Sequence, residues 1–188
     1  MRAIATALAS VACFVSLLVP SQAATLGGYD YAIQYDFRDF FAATDNKPFQ
    51  VVLVGNAFPN LPPEEVARRM LPVMQTAKPP PNLTFTYDSP KEEPRPYYRL
   101  ILVFNPVNDI GADMVCRGKA KSTEATPGKV HLFSVYCRND QAMSQVISWA
   151  SAQQPDEPEM LNLYKVLFTQ QFPRGAGQNP QNGYNTFR

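Results

Sequence analysis

Proline limits this chain more than any other residue: it fills 18 of 188 positions. Each proline fixes its own φ, lacks a backbone donor and pushes the residue before it away from helical geometry. Long uninterrupted elements are therefore excluded wherever prolines are dense, and short elements punctuated by turns are expected. The apolar content of 45%, with 12 Phe and nine Tyr, excludes wholesale disorder. The length suits one domain with a real core.

The N-terminus carries an address. Met1-Arg2 is a minimal positive region, and Ala3 to Val19 is apolar apart from Thr6, Ser10 and Ser16. Pro20 breaks a helix, and Ser21-Gln22-Ala23 puts small residues where a signal peptidase reads. This is the layout of a secretory signal over 1–23, cleaved after Ala23. As an anchor the apolar run is at the short limit, since a spanning helix needs about 20 residues. Lipidation of Cys13 is disfavoured, because Ser10 stands where a Leu-like residue is required and the chain beyond stays apolar. The protein is expected in the periplasm or outside the cell, touching a membrane only through the uncleaved signal.

Cleavage leaves two cysteines, Cys116 and Cys137. In an oxidising compartment a lone pair reads as one disulfide. Cleavage also removes Arg2, so 17 basic residues become 16, balanced against 16 acidic ones. A chain of near-zero charge without clustered Lys and Arg is not built to neutralise phosphates, which argues against nucleic acid as a partner.

The mature domain is expected over 24–173, with a flexible tail at 174–188. Thr25 to Gly28 reads as a flexible leader, and the alternation of Tyr31, Ile33, Tyr35 and Phe37 suggests a half-exposed strand. The aromatic stretch that continues to Phe41 reads as a lid on the core edge. Phe49 to Val54 is a strand apolar on both faces, hence central. A helix opens at Pro62-Pro63-Glu64-Glu65, with Val66, Met70 and Met74 on its apolar face and Pro72 expected to end or kink it. Leu83 to Tyr87, Tyr97 to Phe104 and Val130 to Cys137 are further strands. Ile110 to Arg117 reads as extended, and 142–150 as a strand forming a hairpin with 130–137. A last helix runs to Phe172, with Asp156 and Glu159 at capping-box spacing and Leu161, Tyr164, Phe168 and Phe172 as its stripe. The expected fold is α+β: one domain, a mixed or antiparallel sheet of about four to six strands, two helices on one face and one disulfide.

Catalytic equipment is sparse. His131 is the single histidine, within a strand pattern and without a second base or nucleophile beside it in sequence. Zinc would need three or four ligands that the chain does not cluster. Nucleophile-elbow, phosphate-loop and dinucleotide glycine motifs are absent from the sequence. Glu64-Glu65, Glu92-Glu93 and Asp156/Glu157/Glu159 sit at helix starts or in loops, where solvation and helix-dipole effects account for them. Asn82-Leu83-Thr84 matches the glycosylation acceptor pattern by composition alone.

The one loop with binding character is Gly55 to Asn60, between a strand and a helix. Its Asn56, Phe58, Pro59 and Asn60 form a candidate partner-binding segment, in which Phe58 either faces a partner or staples the helix start to the core. The reading is an exported cell-envelope protein acting as a non-catalytic binding or assembly module, with no cofactor and an unidentified envelope protein or ligand as partner. The competing reading is a small secreted hydrolase using surface carboxylates or His131.

Overall fold

A computed structural model describes residues 24–175; the expected signal segment over 1–23 with Cys13, and positions 176–188 of the expected tail, lie outside the described residues. Six strands and four helices follow in the order β1 (Thr25–Tyr31), α1 (Phe37–Thr44), β2 (Pro48–Val54), α2 (Pro63–Ala77), β3 (Thr84–Thr86), β4 (Tyr98–Phe104), α3 (Ala112–Cys116), β5 (Val130–Arg138), β6 (Gln141–Ala150) and α4 (Pro158–Gln171). The strands form one mixed sheet in the order β1-β6-β5-β4-β2-β3. β2 runs parallel to β3 and β4, and the remaining pairs are antiparallel. The fold is α+β, as composition and pattern imply.

Strand alternation sorts the apolar residues into two clusters. Leu100, Leu102 and Phe104 of β4 face the main core, which α1, α2 and α4 complete. Ile101 and Val103 face the opposite side, where Val115 and Cys116 of α3 cover them. At the centre of the main core lies the Tyr136 ring, with Tyr35, Phe40, Phe49, Tyr98 and Phe172 all within 6.4 Å between ring centroids. Gln171, fully buried at the end of α4, ties that helix to β6: its Nε2 donates to the Ser144 carbonyl at 2.9 Å, and Ser144 Oγ donates to the Gln171 carbonyl at 2.7 Å.

Several local expectations need correcting. Thr25 to Gly28 is not a leader but the start of β1, paired with β6 through a bulge between Leu26 and Gly28. Glycine is required there, because a Cβ on Gly27 would lie 2.0 Å from the Trp149 ring. The alternation from Tyr31 to Phe37 spans a strand end, a turn and a helix start rather than one strand. Asp36 caps α1, its carboxylate accepting from Arg38 N–H at 2.8 Å. Residues 112–116 are helical, not extended.

Pro72 does not end α2, which continues to Ala77. Proline stands on the exposed side there, so the Arg68 carbonyl it leaves free can turn to water. Asp156 and Glu159 form no capping box. The N-cap of α4 is Glu157, and the Asp156 carboxylate instead pairs with Arg69 of α2. The hairpin of β5 and β6 forms as expected, turning at Asn139 with φ of 51°.

Candidate functional site

An apolar recess of about 720 Å³ opens between α1, the start of β2 and the loop from Asp88 to Tyr97. Its position follows from the sequence. The Pro-rich loop has too few backbone donors to pair with a strand, so it stands off the sheet and leaves a cleft beneath it. Ala42 and Ala43 supply a low helix wall, and Phe49, Tyr97 and Tyr98 line the sheet side.

Gln50 organises the polar part of this cleft. It is 8% exposed, yet it lies in the otherwise apolar β2 run. Its Nε2 donates to Ser89 Oγ at 2.9 Å, and its Oε1 accepts from the Tyr97 hydroxyl. Both ends of the proline loop are thereby fastened to one buried amide. Burial raises the Tyr97 phenol above its ordinary pKa, so it remains a neutral donor. The Arg99 guanidinium lies 4.8 Å from the Tyr97 ring centroid and holds the ring in place.

Two of the three charged side chains at the cleft are engaged, and the third, Asp88, stands exposed at its rim. Asp39 pairs with Arg138 at 3.5 Å, and Lys47 Nζ donates to the Ala42 carbonyl at 2.7 Å. The second contact places a cation at the carboxyl end of α1, where the helix dipole favours it. What remains for a ligand is an apolar, proline- and aromatic-lined trough with neutral hydrogen-bonding groups at its base. Such a lining holds an apolar segment in place.

The residues singled out from sequence fall elsewhere. Phe58 is 3% exposed and belongs to the main core, so it staples the start of α2 and does not face outward. Asn56 fixes the loop, accepting from Phe58 N–H at 2.8 Å and donating to the Leu61 carbonyl at 2.9 Å. Pro59 and Asn60 are the two residues of this set left exposed. Cys116 and Cys137 are bonded, their Cα atoms 5.6 Å apart, on the face opposite the long helices.

His131 stacks on Trp149 with ring centroids 5.1 Å apart and 14° between planes. Burial holds its imidazole below the ordinary pKa. Of the carboxylates weighed for hydrolysis, Glu65 pairs with Arg68 at 2.6 Å, Asp156 pairs with Arg69, and Glu157 accepts from Gln153 N–H at 2.9 Å. The structure gathers none of these three beside His131.

Gln50, Ser89 and Tyr97 were not singled out from sequence. The available signal was a glutamine inside a buried strand, where an amide is costly unless bonded. No known protein family, no curated protein and no solved structure matches this chain.

Proposed function

We propose that this chain is exported to the cell envelope and acts there as a non-catalytic binding or assembly module, holding an apolar peptide segment in the α1–β2 cleft. The single observation that supports this reading most is the Gln50–Ser89–Tyr97 fastening, which pre-forms an apolar trough. A pre-formed site avoids the ordering cost that weakens binding by mobile loops. The bonded pair Cys116–Cys137 fits an oxidising compartment.

Ala42→Arg tests the site, because Ala42 is exposed on the cleft wall and an arginine there covers the mouth without entering the core. Fluorescence-polarisation titration of the mature protein against a library of labelled apolar, extended peptides should show saturable binding that this variant weakens at least tenfold. Equal binding by the variant, or no binding by the parent, overturns the site assignment. N-terminal sequencing of the exported fraction should begin at Ala24; Met1 retained in the membrane fraction overturns the export reading.

A further inference from the structure

A second recess, also about 720 Å³, lies at the opposite end of β4 from the cleft: Tyr98 lines the first and Asn105 the second. It lies where β4 and β6 end and β5 begins, lined there by Asn105, Val130, His131, Trp149 and Ala150. The volume falls within the roughly 300–1,000 Å³ usual for small-molecule sites.

One wall is an aromatic pair that the sheet holds rigid. His131 and Trp149 are cross-strand partners in β5 and β6, stacked face to face. The far side of the pair is closed by Gly27, where the indole occupies the space a side chain would take. Trp149 nonetheless stays 40% exposed, a large apolar group fixed in place between these neighbours.

Asn105 supplies the polar counterpart. It has a φ of 48°, and its backbone is held by the His131 carbonyl at 2.8 Å and by Thr123 N–H at 2.7 Å. It is 9% exposed, and its buried Nδ2 has no hydrogen-bond partner among the described residues. Left-handed geometry explains an asparagine here, but not an amide left without a partner. At the rim, Glu124 and Lys129 offset one another in charge, and Thr126 and Ser151 add hydroxyls.

We infer that this recess binds a neutral saccharide, with C–H faces against the His131–Trp149 pair and oxygen atoms toward Asn105 and the rim hydroxyls. The lining sets one carboxylate and one ammonium among neutral amides and hydroxyls, which suits neither an anion nor a cation. An extended peptide has no ladder to join here, because β5 is paired on both sides at His131, with β4 and β6. This inference is independent of the peptide cleft.

The chain has one tryptophan, so emission excited beyond the absorption of its nine tyrosines reports on this recess. Mature protein should be titrated with tetramers of N-acetylglucosamine and of glucose. The expected result is a saturable change in emission with at least one of them, together with protection of Trp149 from acrylamide quenching. Asn105→Asp keeps the left-handed geometry but replaces the amide donor, and should weaken binding at least tenfold in protein that still unfolds cooperatively. Ala42→Arg, at the distant cleft, should bind the sugar normally. Absence of a saturable change with both tetramers, unaltered quenching on binding, or equal affinity in Asn105→Asp would each overturn the inference. Should Asn105→Asp fail to fold, the quenching measurement on the parent protein decides alone.

Discussion

Phe168→Ala measures how firmly α4 is held to the sheet. The ring is 1% exposed and lies 5.2 Å from Phe85, 5.7 Å from Tyr164 and 6.3 Å from Phe172 between centroids. Removing a fully buried phenylalanine loses its transfer free energy and leaves a cavity, together about 3–5 kcal/mol. The upper half of that range applies here, because three aromatic neighbours cannot collapse into the space without leaving their own positions. Set against the roughly 5–15 kcal/mol that stabilises a domain, the loss is a large fraction. Val166→Ala, on the same helix but 39% exposed, should change stability by about 0.5 kcal/mol or less. Urea unfolding followed by far-ultraviolet circular dichroism gives both values, provided the denaturant slope is unchanged. A loss below about 1 kcal/mol for Phe168→Ala would refute the packing described for α4.

Tyr136→Phe removes a buried hydroxyl that has no partner among the described residues, so stability should hold or rise by about 1–3 kcal/mol. A thermal melt showing a clear loss would mean the hydroxyl is bonded. His131 has a folded-state pKa below its ordinary 6.5, so the unfolded chain takes up its proton first as pH falls. Its contribution to stability is therefore present above about pH 6.5 and is lost as pH drops through the folded value. His131→Phe should flatten the fall in melting temperature between pH 7.5 and pH 5, and a parallel fall in both proteins contradicts the assignment.

The elements legible in the sequence are those whose own residues determine them. β2, β4 and β5 are runs of β-branched and aromatic residues, and α4 repeats apolar side chains at helical spacing up to Pro173. β1 depends on a distant partner: Leu26-Gly27-Gly28 has weak strand propensity, and pairing with β6 under the Trp149 ring overrides it. For α1 the signal was present but masked. Asp36 is a good cap, and Phe37, Phe40, Phe41 and Thr44 have helical spacing, yet the preceding tyrosines extend a false alternation into it. The cleft was illegible for a different reason, since Gln50 meets partners 39 and 47 positions away. Asn105 likewise acquires meaning only when Thr123 and His131 fold around it.

The disulfide was legible as a pair, and the structure explains why it lies where it does. The face of the sheet opposite the long helices leaves Ile101, Val103, Phe133 and Val135 to be covered mainly by α3 and the loops beside it. A helix of five residues has no stability of its own, since isolated helices shorter than about 12–15 residues are marginal. Its cover is instead pinned at both ends: Asp113 Oδ1 accepts from Ala142 N–H at 3.0 Å, and Cys116 is bonded to Cys137 of β5. The bridge closes a separation of 21 positions, worth about 3 kcal/mol through restriction of the unfolded chain. Replacing both cysteines by alanine should cost about that much in urea unfolding. Hydrogen exchange should also speed up at Val115 while Leu102, bracketed by paired strands, stays slow. A loss below about 1 kcal/mol, or unchanged exchange at Val115, would mean that packing alone holds α3 down. Two alkylatable thiols in the native protein would remove the staple altogether and leave the second cluster covered by a segment too short to stay folded.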